Sequence, residues 1–144
     1  MQLENYLKLA KEIADESAVI ALKYFGFETE KTWKSDNTPL TQADTEINSL
    51  VIKKIQEKYP EHSIQGEEES SKKVGSKYIW VCDPIDGTMP FSLGLPIFTF
   101  SLALGGKATD LNGGERRYDE EGDGIVLSNG ILHDEILSCI KVGK

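Results

Sequence analysis

Apolar residues recur every three or four positions in two segments, and each segment predicts an amphipathic helix. The first runs from Leu3 to Phe25 and ends at Gly26, a residue that favours helix termination. The second covers 47–55 and stops at Tyr59-Pro60, because proline lacks the amide hydrogen that a helix needs. We expect both apolar stripes to lie in the core. The stripe residues are Leu3, Tyr6, Leu7, Ala10, Ile13, Ala14, Ser17, Ala18, Ala21, Leu22, Phe25, Ile47, Leu50, Val51 and Ile55.

Elsewhere the pattern changes to short apolar runs that predict strands separated by polar turns. The predicted strands cover residues 27–33, 61–65, 78–82 and 95–104, and we expect the last two to be buried. The polar cluster 34–38 suits a turn, and the charged stretch 67–77 suits a loop. Together these elements predict an α/β layered fold, in which two N-terminal helices pack on a mixed or largely antiparallel sheet.

Composition and charge narrow the possible functions. With 39% hydrophobic and 28% charged residues, the 144-residue chain has the composition of an ordinary globular domain. Its net charge of −8 provides no basic surface for DNA or RNA and repels anionic membranes. Cys82 and Cys139 are too few for a disulfide framework. We expect neither a signal peptide nor a membrane span, and therefore a cytoplasmic protein.

Two carboxylates, Asp83 and Asp86, follow the strand predicted at 78–82. Because Pro84 cannot continue a hydrogen-bonded ladder, we expect the chain to turn here and to place both acids at the carboxyl end of the strand. Ligands of open α/β sheets bind at that edge, and two hard anionic ligands suit Mg²⁺ or Mn²⁺ better than a soft metal. Taken alone, the D-P-x-D spacing is equally explained by a turn in which both acids cap backbone amides.

The residues after these acids suit a phosphate group. Gly87 allows the backbone to approach a ligand closely, and Thr88 is a good N-cap for a short helix. Free amides at the start of such a helix attract phosphate. A phosphorylated substrate would still need metal ions, because the chain is acidic overall.

Three ordered segments resemble the signature of the inositol monophosphatase family, whose relatives include histidinol-phosphatases and sugar-bisphosphate phosphatases. Residues 83–88, Asp-Pro-Ile-Asp-Gly-Thr, resemble its central motif, and the likeness continues to residue 104. Residues 36–44 resemble its D-x-x-P-x-T-x-A-D segment, and 64–68 resemble its G-E-E segment. The resemblance implies a Mg²⁺-dependent, lithium-sensitive phosphatase, with Mn²⁺ as the alternative metal, that forms a homodimer.

The resemblance also implies roles for individual residues. The implied metal ligands are Glu67, Asp83, the carbonyl of Ile85, and Asp86. The implied catalytic residues, which activate the attacking water, are Asp44, Thr88 and Glu67. The implied phosphate-binding residues are Asp86, Gly87 and Thr88.

Several residues near this motif also have simpler interpretations. Thr41 and Asp44 precede an apolar run and match a capping box, which needs no catalysis. Glu67 and Glu68 belong to a charged run that, taken alone, would be solvated. Lys34 either steadies a phosphate or is an ordinary surface lysine, and the second interpretation is favoured. His62 follows Pro60 in a loop and suits a surface or capping side chain.

The chain departs from the family after Leu104. Family members continue through a second sheet region to a W-D-x-A motif whose aspartate is a further metal ligand, and this chain lacks that motif. Residues 105–113 and 124–135 instead resemble the segments that follow it. We therefore expect residues 1–104 to form an N-terminal metal- and phosphate-binding phosphatase domain and residues 105–144 to be a remnant of the C-terminal domain.

Two functions remain open at this point. The first is a Mg²⁺-dependent phosphatase that hydrolyses a small phosphate monoester, such as inositol monophosphate, histidinol phosphate or a sugar phosphate. The second is a non-catalytic metal-binding domain or regulatory subunit derived from such a phosphatase by internal deletion, because one ligand aspartate is missing. In the first case the partner is a small phosphorylated metabolite.

Overall fold

The computed structural model describes residues 2–26, 29–105, 107–114, 126–128 and 133–142. The chain forms two compact units, Met1–Leu104 and Gly105–Lys144. The functions predicted for these two parts of the chain stay predictions.

The first unit contains both N-terminal helices and a central sheet. Its elements are α1 (Gln2–Tyr24), β1 (Lys31–Trp33), β2 (Pro39–Thr41), α2 (Gln42–Lys58), β3 (Ser63–Gly66), β4 (Ile79–Asp86), α3 (Thr88–Ser92) and β5 (Thr99–Leu104). β1 and β2 form an antiparallel hairpin. In the central sheet, β4 pairs in parallel with β3 and antiparallel with β5. The predicted α/β fold with a mixed sheet is confirmed.

The core of this unit forms where α1 packs on α2 and α2 packs on β4. Ile47, Val51 and Ile55 of α2 are fully buried, as predicted. The prediction for α1 is partly wrong, because Leu3, Leu7 and Leu22 are exposed. The buried residues of α1 are Tyr6, Leu9, Ile13, Ser17 and Ala21. Their spacings of three and four define one narrow stripe, and among the described residues no element covers Leu3, Leu7 or Leu22 outside that stripe.

The strand β4 continues through Pro84, which corrects the prediction of a turn at that residue. Asp83 lies opposite Ser101 and Asp86 lies opposite Thr99, so the register with β5 shifts by one residue between the two acids. Such a bulge accommodates a residue that cannot donate to the ladder. The chain turns only after Asp86, and both acids therefore belong to the last part of the strand.

Gly87 makes the turn that follows. Its φ of 94° lies in the left-handed region, and a Cβ atom at this position would come within 2.9 Å of the Ile97 carbonyl oxygen. Gly87 is consequently the N-cap of α3, and Thr88 is its first residue. The prediction of Thr88 as the N-cap is wrong by one position, because only glycine adopts the required backbone conformation without strain.

The strand predicted from Leu95 begins later, at Thr99. Leu95 and Ile97 are exposed, and β5 alternates between exposed and half-buried residues. The prediction of a fully buried strand is therefore wrong. Among the described strands, β5 pairs with β4 alone, so one of its edges carries no partner strand.

The second unit contains β6 (Lys107–Thr109), β7 (Val126–Ser128) and α4 (His133–Val142). β6 and β7 pair antiparallel. After β6, Asp110 Oδ1 accepts hydrogen bonds from the amides of Asn112 and Gly114 and so closes a tight turn. None of the helices in the described ranges combines the length and apolar character needed to cross a bilayer.

Candidate active site

Asp44 lies in the first turn of α2 and is completely buried. Its Oδ2 accepts hydrogen bonds from the backbone amide of Thr41, at 2.8 Å, and from the Thr41 hydroxyl group. The predicted capping box is therefore present. Because both bonds are made to Oδ2, the carboxylate is fixed in rotation, and its second oxygen is directed elsewhere.

That second oxygen faces α3. The hydroxyl of Thr88 lies 3.2 Å from Asp44 Oδ1 and 3.0 Å from the carbonyl oxygen of Ile85. A hydroxyl group carries one proton, so it donates to one of these acceptors at a time. The structure thus brings Asp44, Thr88 and the Ile85 carbonyl together, although they are separated by as many as 44 positions in the sequence.

The parallel pairing of β3 and β4 brings a second pair of acids together. Gly66, the last residue of β3, pairs with Cys82 of β4, and the amide of Glu67 donates to the Cys82 carbonyl oxygen at 3.1 Å. This places Glu67 next to Asp83, with the two carboxyl groups within hydrogen-bonding reach of each other. Glu67 directly follows β3, and Asp83 belongs to β4. The pairing of these two strands therefore determines that the two acids lie side by side.

The electrostatic environment of Asp83 is unfavourable for its charged form. Burial, together with the negative charges of Glu67 and Asp86, raises the pKa of the Asp83 carboxyl to about 7. In the described part of the chain, Asp83 Oδ1 is buried and accepts no hydrogen bond. A buried carboxylate oxygen without a donor is costly, and a cation would relieve both the repulsion and the missing interaction.

Lys34 supplies the positive charge nearest to these acids. Its ammonium group lies 2.9 Å from Glu67 Oε1 and 2.7 Å from Glu68 Oε1. Although burial alone lowers it, the hydrogen bonds to Glu68 and Glu67 raise the pKa of Lys34 overall. Burial raises the pKa of Glu68, and Lys34 opposes that effect. The interpretations of Lys34 and Glu68 as solvated surface residues are wrong, because the β1–β2 hairpin brings Lys34 into contact with Glu67 and Glu68.

The residues present fit a hard divalent cation in their chemistry. Carboxylate and carbonyl oxygens are the ligands that Mg²⁺ and Mn²⁺ prefer, and Asp83 has an oxygen without a donor. Within the described ranges, however, no three His, Cys, Asp or Glu side chains form a group that could hold a metal ion. Glu67 is instead paired with Lys34, and Asp86 is exposed. A cation would bind only after these side chains had adjusted.

Two further polar residues are buried, and the sequence predicts no role for Asn48 and a surface position for His62. Asn48 is 2% exposed and lies four residues after Asp44, a spacing that places both on one face of α2. The four-residue spacing could therefore have indicated that Asn48 shares the buried face of Asp44. His62 is also buried, and its Nδ1 accepts a hydrogen bond from the indole of Trp80 at 3.0 Å. Its prediction as a surface side chain is wrong, because the rings of Tyr6 in α1 and Trp80 in β4 pack around it.

Comparisons with known proteins agree with the motifs. The sequence model of the inositol monophosphatase family matches residues 2–105. A histidinol-phosphatase of Chlorobaculum parvum is 36% identical over 99 residues, which are 68% of this chain and 38% of that protein. A bifunctional chloroplast phosphatase of Arabidopsis thaliana is 34% identical over 105 residues, which are 72% of this chain and 30% of that protein. The chain thus matches only 30–38% of the length of these relatives.

Solved structures give the same result for the fold. An inositol monophosphatase from Thermotoga maritima superimposes with a TM-score of 0.63 at 27% identity, and the match covers 69% of this chain and 39% of that one. An inositol monophosphatase from Zymomonas mobilis gives a TM-score of 0.59 at 30% identity, with 74% and 42% covered. The family model ends at residue 105, so the resemblance predicted for the later residues stays a prediction.

Proposed function

The chain belongs to the inositol monophosphatase family, and we propose that it acts as a metal-dependent phosphatase that hydrolyses a small phosphate monoester. The observation that carries this proposal is the hydrogen-bonded pair of Asp44 and Thr88 beside the acidic pair of Glu67 and Asp83. The first pair suits the orientation of a water molecule. The second pair suits the binding of cations, which an acidic chain needs before it binds a phosphate.

The residues proposed to hold Mg²⁺, or Mn²⁺ in its place, are Glu67, Asp83, Asp86 and the carbonyl of Ile85. When bound, a divalent cation neutralises the phosphoryl oxygens and lowers the pKa of water at the site. The pKa of Asp83, raised by burial and by the neighbouring acids, and its unbonded Oδ1 support this assignment, because a cation would supply the charge and the contact that the described residues do not.

Asp44 and Thr88 position the attacking water in this proposal. The Thr88 hydroxyl accepts a hydrogen bond from the water and donates one to Asp44 Oδ1, while Thr41 holds the other oxygen of Asp44 in place. As the new P–O bond forms, a proton of the water passes through Thr88 to Asp44. The ester P–O bond breaks, and the leaving alcohol oxygen takes up a proton from solvent.

We further propose that the backbone amides of Gly87 and Thr88, together with Asp86, hold the phosphate group. The left-handed conformation of Gly87 supports this role, because it directs the chain from the end of β4 into α3 without a side chain in the way. Fixed amide donors stabilise charge that develops on phosphoryl oxygens during the reaction.

The second candidate function is that of a non-catalytic metal-binding domain. The match to the family model ends at residue 105, and the sequence contains no W-D-x-A motif. Fewer protein ligands leave water to complete the coordination of a cation, which lowers its affinity and its control over the substrate. This candidate keeps the cation site and loses the turnover.

Phosphate release and cation binding together distinguish the two candidates. Inositol 1-phosphate, histidinol phosphate and fructose 1,6-bisphosphate would each be incubated with the full chain and Mg²⁺. The phosphatase proposal predicts Mg²⁺-dependent phosphate release that falls about 100- to 10,000-fold in Asp44→Asn and Thr88→Ala, whereas the exposed control Thr45→Ala stays near wild type. Inhibition by Li⁺ is also expected. Cation binding without phosphate release would support the second candidate, and the absence of both would refute each.

A further inference from the structure

The face of α2 that carries Asp44 presents a second polar residue one turn later. Asn48 is 2% exposed, and its Nδ2 donates a hydrogen bond to the carbonyl oxygen of Glu69 at 2.9 Å. Glu69 ends the four-residue acidic turn, which we define as Gly66 to Glu69. The Asn48 side chain therefore connects the helix that holds Asp44 to the segment that carries Glu67.

Asn48 lies close to both ends of the acidic turn, Gly66 and Glu69. A Cβ atom on Gly66 would lie 2.2 Å from Asn48 Oδ1 and 2.3 Å from the Glu69 carbonyl oxygen. Only a glycine therefore fits between the amide and the far side of the turn. Asn48 Oδ1 is itself buried and accepts no hydrogen bond within the described residues. Asn48 therefore makes one hydrogen bond, to the acidic turn, and leaves its own oxygen without a donor.

We propose that Asn48 is a positioning residue that holds the acidic turn in register, so that Glu67 faces Asp83 and the affinity for a divalent cation is high. The inference rests on the proposed function, since it concerns the same cation site. Asn48 acts through Glu67 and makes no contact with substrate. The outer partners of metal ligands commonly change cation affinity when they are removed, even though they do not touch the metal.

The chain offers a matched control on the same helix. Gln56, two turns after Asn48, donates from its side-chain amide to the hydroxyl of Ser71, which lies beyond the acidic turn. Both residues thus tie α2 to the segment that follows β3. Of these two hydrogen bonds, the one from Asn48 reaches the turn that carries Glu67.

Measurements of cation affinity distinguish a positioning role of Asn48 from a purely stabilising role. Mn²⁺ would be titrated calorimetrically into the full chain and into the variants Asn48→Ala, Asn48→Leu, Gln56→Ala, Glu67→Gln and Asn48→Ala combined with Glu67→Gln. We expect both Asn48 variants to weaken Mn²⁺ binding about 10- to 100-fold, and Gln56→Ala to leave it unchanged. Asn48→Leu fills a similar space, so a loss of affinity in that variant reports the lost hydrogen bond to Glu69 rather than a cavity.

The double variant supplies the decisive comparison. If Asn48 acts through Glu67, then Asn48→Ala causes no further loss of Mn²⁺ affinity once Glu67 is glutamine. Hydrogen exchange of the Glu67 amide, which bonds to Cys82, should accelerate in the metal-free Asn48→Leu chain and not in Gln56→Ala.

Equal losses in Asn48→Ala and Gln56→Ala, or an undiminished loss in the double variant, would overturn the inference. A wild-type chain that binds Mn²⁺ but releases no phosphate would refute the phosphatase proposal and leave the role of Asn48 standing. A wild-type chain that binds no Mn²⁺ would overturn both.

Discussion

The two halves of the candidate site differ in how well their charges are satisfied. In the half formed by Thr41, Asp44 and Thr88, each carboxylate oxygen of Asp44 has a hydrogen-bond donor within reach. In the half formed by Glu67 and Asp83, like charges lie together and one oxygen of Asp83 has no donor within the described structure. The first half is complete as the protein folds. The second half is completed, in our proposal, by cations.

This contrast shows that the unsatisfied groups of the site, within the described residues, are side-chain oxygen atoms, those of Asp83 and Asn48, rather than the backbone. The backbone around the acidic half is tightly fitted, since Gly66 leaves no space beside Asn48 and Gly87 adopts the one conformation that the turn allows. A region in which like charges lie together, while the surrounding structure is well packed, is commonly a functional site. Three changes to the chain test this contrast, and one titration serves as a reference.

Removal of the Asp44 carboxylate should have the largest effect on stability, because it breaks the satisfied half. Asp44→Ala leaves the amide and hydroxyl of Thr41 without their buried acceptor and removes a capping interaction from α2. We expect the free energy of unfolding to fall by about 2–3 kcal/mol. Urea denaturation of the metal-free chain measures this change, and a loss no larger than that of Thr45→Ala would contradict it.

Addition of a methyl group at Gly66 should have the next largest effect. Gly66→Ala forces a Cβ atom against Asn48 Oδ1 and the Glu69 carbonyl oxygen, so the acidic turn must shift. We expect a loss of about 2 kcal/mol together with weaker Mn²⁺ binding. The same change at Gly26, where a Cβ atom meets nothing within 4 Å, is the matched control. Equal melting temperatures for the two variants would show that the turn is not tightly fitted.

Neutralisation of Asp83 should have a smaller effect of opposite sign. Asp83→Asn removes like-charge repulsion from Glu67 and Asp86, so the metal-free chain should become more stable by about 1 kcal/mol. The same variant should lose its affinity for Mn²⁺. A variant that is destabilised without metal would mean that the acidic half is balanced within the protein after all.

Acid titration of His62 should have the smallest effect and provides an internal reference. Burial among Tyr6, Tyr59, Tyr78 and Trp80 lowers the pKa of His62, although nearby Glu61 opposes this weakly. Below about pH 6.5 the unfolded chain therefore takes up a proton that the folded chain does not. The free energy of unfolding should fall as the pH is lowered through this range.

The Asp83→Asn background is the right one for this measurement. The pKa of Asp83, which is raised to about 7, makes the folded chain bind the extra proton and so contributes with the opposite sign. An NMR titration of the His62 ring, distinguished from His133 by a His133→Gln variant, reports the pKa directly. A midpoint at or above the ordinary histidine value would contradict the prediction.

The candidate acidic residues could be selected from the sequence, because the D-P-I-D-G-T run and the G-E-E segment each contain the end of a strand, while the roles assigned to these residues stay predictions. The interaction between Thr41 and Asp44 could also be predicted, since the two residues match a capping box. The continuation of β4 past Pro84 could not be predicted, because the bulge depends on pairing with β5. Neither could the pairing of Lys34 with Glu67, because it depends on where the β1–β2 hairpin packs.

The same limit explains the errors in burial. The apolar pattern of α1 predicts a helix, but it does not predict which neighbouring elements cover each side of that helix. The exposure of Leu3 and Leu22 could therefore not be predicted. His62 carries a polar ring, and its burial depends on Trp80, which is distant in sequence and arrives through the sheet. Periodicity specifies local structure, whereas the covering elements come from tertiary packing.

The most direct test of the account is thermal unfolding of the wild type and Asp83→Asn with and without saturating Mn²⁺. Without the cation, the account predicts that Asp83→Asn melts at the higher temperature. With Mn²⁺ at about 100 times its dissociation constant, the wild type should gain about 2.7 kcal/mol and melt above the variant. A wild type that gains nothing from Mn²⁺, or a variant that gains as much, would contradict the claim that the acidic half is completed by a cation.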